Sequence, residues 1–376
     1  MTDQAPPVPP APAPRPSVTV LIVTHNAGRF LEPAVRSVLD QAGVAVNVVV
    51  ANNACTDGSV EALAPLVREV PGRIRVVTMN ANLLHAGGLN AGLPHCDGEF
   101  LAMMDADDLS RPGRLQRQYE YLCAHPEADA VYCCERLIDE QDRPFGSLFC
   151  VTNPAQLAAY SRFDVPCQMH NLMFRRRSLA ALSWRTEFMW AADYDFLQRA
   201  IEQLRFGCVR EELYDYRVHP GMASKTDAGI QMEMAALCRL ACARRRSGRP
   251  DRLAEELAGL EAGRDLTSGG IHVRYGRRFL QEGFSDLAIV FARRAWGDGR
   301  RREGLAIAGA ALGRSLGVGH TGWLLRLALL GPAHALRIES HPPLPPRRWY
   351  SLFVSHGGAS FGAALKRQAA AKPAAP

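Results

Sequence analysis

The stretch "FLAMMDADD" (residues 100–108) runs from five apolar residues directly into three carboxylates, Asp105, Asp107 and Asp108. Carboxylates this close repel one another unless a positive group lies among them. A divalent cation such as Mg²⁺ or Mn²⁺ would meet that need, because these ions prefer oxygen ligands from one or two carboxylates and a substrate phosphate. The alternative is an acidic turn that caps a helix predicted to follow at "RPGRL" (111–115). The stretch therefore predicts a strand that ends in either a metal site or a helix cap.

The segments around this stretch alternate between strand and helix patterns. Apolar runs rich in β-branched residues predict buried strands at 17–24, 46–51, 73–79 and 99–105. Segments with apolar residues on one helical face predict helices at 30–41 and 59–70. Alternation at this spacing predicts parallel βαβ units, with helices on both faces of the sheet.

Polar loops follow three of the predicted strands. They read "THNAG" (24–28), "NNACTDGS" (52–59) and "DADD" (105–108). Ligands of parallel α/β sheets bind beyond the carboxyl ends of the strands, where these three loops would meet. Their convergence favours the metal site over the helix cap.

Composition narrows the class of protein. The chain has 376 residues, of which 47% are hydrophobic and 22% charged, as in a soluble globular protein with one large and one smaller domain. A net charge of +6 is compatible with acidic ligands, but the arginine clusters lack the interleaved aromatic residues of a nucleic-acid reader. The ten cysteines form no CxxC pair, which predicts neither a disulfide framework nor a structural zinc site. We expect a reducing, cytoplasmic compartment and no nucleic-acid partner.

The chain divides into four parts by its composition and its pattern of apolar residues. Residues 1–16 are rich in proline and alanine and lack the pattern of a signal peptide, which predicts a disordered tail. The α/β pattern occupies 17–225, and helices separated by glycine-containing turns follow at 226–345. The alanine-rich end, 346–376, is predicted to be loose.

The C-terminal region combines arginine clusters with apolar stretches. Arginine is concentrated at 238–252 and 293–302, and the longest apolar run, 322–336, is interrupted by Arg326 and Pro332. That run is too short to span a bilayer, so no membrane crossing is predicted. Either these helices contact the cytoplasmic leaflet of a membrane, or their charges form a solvated face over an ordinary core.

Six segments occur in a characteristic order: "PSVTVLIVTHNAG", "VVVANNACTDGS", "NLLHAGGLNAGL", "CDGEFLAMMDADDLSRPGRL", "WAADYDFLQRA" and "YDYRVHPGMAS". With them, residues 17–221 resemble the inverting nucleotide-sugar glycosyltransferases of GT-A fold, the large bacterial family 2 type. The resemblance implies a Rossmann-like, mostly parallel mixed sheet with helices on both faces, followed here by a C-terminal helical region. It also implies inverting sugar transfer to an acceptor hydroxyl in the synthesis of cell-surface polysaccharide, lipopolysaccharide or glycoconjugate.

The resemblance also implies roles for individual residues. Binding of the nucleotide sugar, with a UDP-sugar expected, falls to Thr24, Asn26, Asn52, Asp105 and Ala106. Asp107 and His219 would hold a divalent Mg²⁺ or Mn²⁺ that stabilises the leaving diphosphate. The acceptor would be a glycan or a lipid-linked molecule.

Asp193 matches the position of the family's general base, which takes the proton of the acceptor hydroxyl. The alternative is that Asp193 is the N-cap of the helix that follows. Because Ala192 is uncharged, we expect no adjacent negative charge to raise the pKa of Asp193. Asp195 would be a first-turn acid of that helix. For Asp108, a helix cap is the favoured interpretation.

The sequence departs from the family pattern at four positions. Asn52 replaces an Asp that accepts from the nucleobase imide N–H, which leaves the base identity open. Ala192 replaces a Glu, His25 a Tyr and Leu84 a Gly. None of these changes removes Asp107 or Asp193, so we expect an active enzyme.

Two other functions are compatible with parts of this pattern. A sugar nucleotidyltransferase would need a glycine-rich basic loop after the first strand, and "THNAGRFLEP" has only one glycine and one arginine. A non-catalytic homologue that binds sugar nucleotides or glycans as a scaffold remains the alternative.

Overall fold

The computed structural model describes residues 17–188, 190–222, 228–260, 263–315 and 321–342. The tails predicted at 1–16 and 346–376 lie outside the described residues.

The first quarter of the chain alternates between strands and helices as predicted. The strands are β1 (Ser17–Thr24), β2 (Ala45–Asn52), β3 (Ile74–Thr78) and β4 (Phe100–Asp105). The helices between them are α1 (Leu31–Leu39), α2 (Ala64–Glu69) and α3 (Leu84–Gly92). Strands β3, β2, β1 and β4 are adjacent in that order and all parallel, so their carboxyl ends share one edge.

The following segment completes a mixed sheet. Its strands are β5 (Leu109–Ser110), β6 (Ala130–Ile138), β7 (Pro144–Leu148), β8 (Cys150–Val151), β9 (Met173–Arg175) and β10 (Phe206–Arg217). Its helices are α4 (Arg114–Ala124), α5 (Leu157–Ser161) and α6 (Ala192–Gln203). The large sheet has the order β3-β2-β1-β4-β9-β6-β10-β5, and β7 pairs with β6. Because β9 is antiparallel to both β4 and β6, the sheet is mostly parallel but mixed, as predicted.

Helices cover both faces of the sheet. Residues Val18, Val20 and Ile22 of β1 pack with α1 and α4 on one face. Leu21 and Val23 point to the other face, which α3, α5 and α6 cover. This alternation follows from the two-residue repeat of a strand, and its apolar residues on both sides explain the continuous apolar sequence of β1.

Helix α3 lies unusually close to the sheet. A Cβ at Gly88 would lie 2.5 Å from Val23 Cγ1, and one at Gly92 would lie 2.6 Å from Leu21 Cδ1. Only glycine permits this approach without displacing the strand side chains. The close packing holds the start of α3, with His85, near the carboxyl edge of the sheet.

The C-terminal region is helical, as predicted. Its helices are α7 (Ala228–Arg246), α8 (Leu253–Ala258), α9 (Ser268–Gln281), α10 (Ser285–Gly297), α11 (Arg301–Ser315) and α12 (Thr321–Ala335). Their apolar residues join the same core as α6, and strand β11 (Ser340–His341) pairs with β8. The helical region therefore packs against the α/β part through a continuous core.

Two of the arginines of 238–252 hold this core together. Arg239 Nη2 lies 3.0 Å from Asp164 Oδ1, and Arg244 Nε lies 2.9 Å from Glu282 Oε2. Both guanidinium groups are buried, whereas the last two arginines of this segment are exposed, so only part of the predicted basic cluster reaches the surface. Among the described residues, no helix combines the length and apolarity that crossing a membrane requires.

Candidate active site

Strand β4 ends at Asp105, and the loop after it lies beside β10. The two residues of β5 pair with Tyr214 and Asp215 of β10, which brings the end of β10 against the carboxylate loop. Side chains of β10 and of the segment after it therefore contact the carboxylates of this loop. These contacts decide what each carboxylate can do.

Asp108 is buried and anchors the loop. Its Oδ2 accepts a 2.7 Å hydrogen bond from the Tyr214 hydroxyl, and its Oδ1 accepts one of 2.7 Å from the backbone N–H of Arg217. Burial, together with the charge of Asp107, raises the pKa of Asp108 well above its ordinary value. Helix α4 begins at Arg114 with Gly113 as its N-cap, so the interpretation of Asp108 as a cap is wrong.

Asp107 and His219 are brought together from distant parts of the sequence. His219 Nε2 lies 2.9 Å from Asp107 Oδ2, and both side chains are partly accessible. Arg217 holds the backbone of the loop in place, because its Nε donates to the Asp107 carbonyl oxygen at 2.6 Å. A carboxylate oxygen and an imidazole nitrogen are thus in hydrogen-bond contact at the accessible side of this loop.

A second cluster contains a histidine that the sequence analysis missed. Ligand atoms of Asp105, Asp108 and His170 lie within 4.8 Å of one another, a group that could also hold a cation. His170 precedes β9 in "CQMHNLMF", which carries no recognisable motif. Only its proximity in space to Asp105, 65 positions away in the chain, reveals it.

The loops after β1 and β2 bind each other to form a wall next to Asp105. Asn26 has a left-handed backbone, and its Oδ1 accepts from the N–H of Thr56 at 2.8 Å. Asn52 Oδ1 accepts from the N–H of Cys55 at 2.9 Å. Thr24 is buried directly opposite Asn52 in the register of the two strands. The predicted nucleotide residues, with Asp105 and the buried Ala106, thus lie along one edge of the sheet.

Asp193 is the second residue of α6. The helix begins at Ala192 with Ala191 as its N-cap, so the interpretation of Asp193 as an N-cap is wrong. Its side chain is accessible, and Oδ1 accepts the N–H of Tyr194 at 2.8 Å.

The charge environment of Asp193 also differs from the expectation. Burial by the surrounding groups raises the pKa of the Asp193 carboxyl, the charge of Asp105 adds to this rise, and His85 opposes it. Because the side chain is exposed to solvent, water screens these contributions. The expectation that no adjacent negative charge raises this pKa is therefore wrong, because Asp105 supplies that charge across the site.

Asp195 lies in the first turn of α6, as expected, but its main role is different. It is buried, and its Oδ2 lies 2.8 Å from Arg199 and 3.7 Å from Arg185. Two arginines that share one buried carboxylate make Asp195 a structural counter-ion.

Comparisons with known proteins agree with this arrangement. Residues 19–182 match the sequence profile of Glycosyl transferase family 2. An uncharacterized glycosyltransferase of Haemophilus influenzae is 24% identical over 233 residues, which are 58% of this chain and 71% of that protein. The succinoglycan biosynthesis protein ExoO of Rhizobium meliloti is 36% identical over 113 residues, which are 30% of this chain and 31% of that protein.

The fold also matches a solved structure. It is that of the mannosyltransferase PcManGT from Pyrobaculum calidifontis in complex with GDP-Man and Mn²⁺, with a TM-score of 0.50 and 20% identity. The match covers 97% of this chain and 90% of that one. The predicted GT-A fold is confirmed, and residues 19–182 of this chain are similar to glycosyl transferase family 2.

Proposed function

We propose that the chain is a metal-dependent, inverting glycosyltransferase that moves a sugar from a nucleoside-diphosphate donor to an acceptor hydroxyl. The observation that carries this proposal is the convergence of Asp107, His219, Asp105 and Asp193 at the edge where β1, β2 and β4 end. In this fold class, that edge is where ligands bind.

The donor pair Asp107 and His219 fits a divalent cation. Their contacting atoms, 2.9 Å apart, are a carboxylate oxygen and an imidazole nitrogen, and carboxylate oxygens suit Mn²⁺ and Mg²⁺. A cation held there would supply positive charge for the departing diphosphate. The similarly folded PcManGT was solved in complex with Mn²⁺, which supports this choice of metal.

Asp193 would serve as the general base. The acceptor oxygen attacks the anomeric carbon, the bond from that carbon to the diphosphate oxygen breaks, and the hydroxyl proton passes to the Asp193 carboxylate. One displacement with one base inverts the anomeric centre and needs no covalent intermediate. The acceptor must therefore approach from the side of α6, opposite the diphosphate.

The process that this reaction serves is cell-surface polysaccharide synthesis. The similarity to a succinoglycan biosynthesis protein supports this assignment. We place the enzyme on the cytoplasmic side of the membrane, where nucleotide sugars are available, with a glycan or lipid-linked acceptor.

A donor screen tests the proposal without knowledge of the acceptor. The purified chain is mixed with Mn²⁺ and each of a set of UDP-, GDP- and other nucleotide sugars, and the melting temperature and the slow release of nucleoside diphosphate are measured. One donor should raise the melting temperature only with metal present and should be hydrolysed. Binding without hydrolysis or transfer would instead favour the non-catalytic scaffold, and no binding at all would refute the proposal.

Asn52 should limit affinity for a uracil base. Its Oδ1 already accepts from the Cys55 N–H, and its Nδ2 lies 3.4 Å from Thr78 Oγ1. Asn52→Asp retains the first bond and offers a charged acceptor to an imide N–H. Because charged acceptors contribute about 1 kcal/mol more, we expect UDP to bind about fivefold more tightly.

Calorimetric titration of the parent and of Asn52→Asp measures the affinity for UDP. CDP is the matched control ligand, because cytosine lacks the imide N–H. CDP affinity should not rise in the Asp variant. An equal gain for both nucleotides would mean that residue 52 does not face the base.

A surface on the C-terminal helices is proposed to contact the membrane. Leu325 and Leu329 of α12 are 44% and 68% exposed, as the apolar run at 322–336 suggested, and Leu305 is 59% exposed. Trp296 is also exposed, with the Arg301 guanidinium 5.8 Å from its ring. Exposed apolar residues beside arginines are typical of a peripheral contact with anionic lipids.

Flotation with phosphatidylglycerol vesicles at low salt tests this surface. Leu329→Glu removes an apolar contact worth about 1.5–3 kcal/mol, so bound protein should fall by about tenfold or more. Val76→Glu, at an exposed position of β3, is the control and should float like the parent. Failure of the parent to float would remove this part of the proposal.

A further inference from the structure

A buried chain of hydrogen bonds leads from the middle of β6 to Asp105. Glu135 Oε2 lies 3.0 Å from His170 Nε2, and His170 Nδ1 lies 3.2 Å from Asp105 Oδ2. Glu135 and His170 are buried, whereas the Asp105 side chain is 30% exposed at the candidate site. None of the chemistry proposed above uses Glu135 or His170.

The position of the His170 ring is fixed on all sides. The ring is stacked between Tyr214, at 4.9 Å and 24°, and Tyr216, at 5.1 Å and 21°. Ionised carboxylates only accept hydrogen bonds, so both ring nitrogens carry protons when both contacts are made.

Glu135 is fixed as well. Its second oxygen, Oε1, accepts from the side-chain amide of Asn171, which also donates to the Cys133 carbonyl at 2.8 Å. The ring orientation of His170 therefore depends on a carboxylate that is itself held at both oxygens.

This arrangement is costly unless it serves the site. A buried ion pair gains little over well-packed apolar residues, because desolvation offsets the attraction. Leu137, the next residue on the same face of β6 as Glu135, is buried and shows that this part of the core accepts an apolar side chain. The pair of Glu135 and His170 instead directs a hydrogen bond to one oxygen of Asp105.

We propose that His170, oriented by Glu135, is a positioning residue that fixes the carboxylate of Asp105 so that its other oxygen, Oδ1, binds the donor nucleotide sugar. This inference rests on the proposed function. It assigns His170 an indirect effect on donor binding, through Asp105, and no contact with the reacting atoms. Binding interactions of this kind raise KM when lost, with little change in kcat.

Two substitutions separate the two ring nitrogens. The amide nitrogen of Asn lies where His has Nδ1, so His170→Asn can still donate to Asp105. The amide nitrogen of Gln lies where His has Nε2, so His170→Gln can donate to Glu135 but not to Asp105. His170→Phe preserves the stacking between the two tyrosines and donates to neither carboxylate.

The measurements are KM and kcat for the donor, together with the Kd for its nucleoside diphosphate and Mn²⁺. We expect the Gln and Phe variants to raise KM and Kd by about 10- to 100-fold, the usual effect of losing a supporting hydrogen bond, at nearly unchanged kcat. His170→Asn should remain close to the parent. Parental KM in the Gln and Phe variants, or an equal loss in all three, would overturn the inference.

Glu135→Gln provides a second variant if the His170 variants do not fold. Its amide oxygen can take the place of Oε2 as the acceptor for His170, but without the charge that orients the imidazolium, so KM should rise by less than in His170→Gln. An unchanged KM in Glu135→Gln would count against the inference. If the parent hydrolyses a donor and every variant has the parental KM, this inference alone is refuted. If the parent binds no nucleotide, both this inference and the proposed function are refuted.

Discussion

Asp107→Ala should abolish measurable sugar transfer and metal-dependent donor binding while the protein stays folded. The Asp107 carboxylate contacts His219 at the partly open site, and its loss leaves one imidazole to hold the metal. A metal contributes several kcal/mol of charge stabilisation to the departing diphosphate, which corresponds to a loss of about a thousandfold or more in rate. The fold should survive, because Arg217 binds the backbone oxygen of residue 107, which alanine retains.

The measurement is donor turnover and Mn²⁺ titration of the melting temperature in the parent and the variant. Asp40→Ala, at an exposed aspartate after α1, is the matched control and should behave like the parent. Full turnover of the parent in excess chelator would contradict the metal assignment, as would parental turnover of Asp107→Ala.

Asp193→Asn should lose about 10²- to 10⁴-fold in kcat with nearly normal affinity for donor and metal. Asn has the same size and can still accept from the Tyr194 N–H, but it cannot take a proton from the acceptor hydroxyl. Single-turnover rates with saturating donor measure the loss. Parental turnover in the Asn variant would place the general base elsewhere.

The raised pKa of Asp193 gives this prediction a pH dependence. Burial, the larger cause, and the charge of Asp105 both favour the protonated form. Turnover of the parent should therefore fall as the pH is lowered through this raised pKa, at a higher pH than for an aspartate with the ordinary pKa. The residual turnover of Asp193→Asn should not show this fall at low pH.

Asp193→Asn, which should lower activity, should not lower the stability of the fold. A carboxyl whose pKa is raised by folding contributes stability below its unfolded pKa, and this contribution is lost as the pH rises through the folded pKa. At neutral pH ionised Asp193 thus opposes folding, so Asp193→Asn should melt at or above the parental temperature. Asp195→Asn is the contrasting control: it removes the partner of Arg199 and should lower the melting temperature.

The local features of the fold could be predicted from the sequence. Strand β1 has the predicted bounds, β2 is longer by one residue at each end and β4 begins one residue later, because apolar β-branched runs and loop residues are local signals. The ordered motifs further predicted the similarity to the family, and the roles of Asp107 and Asp193 stay predictions. Capping was less predictable: Gly113 and Ala191 are the N-caps where Asp108 and Asp193 were considered, since the exact start of a helix depends on its surroundings.

By itself, the sequence determined the strand–helix alternation and the meeting of three polar loops at one sheet edge, because side-chain periodicity and the direction of parallel strands follow from short-range chemistry. The tertiary structure alone decided which charges meet. Inserting β9 between β4 and β6 brings His170 to Asp105, and the course of β10 brings His219 to Asp107 across 112 positions. Arg239 and Arg244 likewise pair with carboxylates on other elements. Partners of charged groups depend on long-range packing, which no local pattern in the chain encodes.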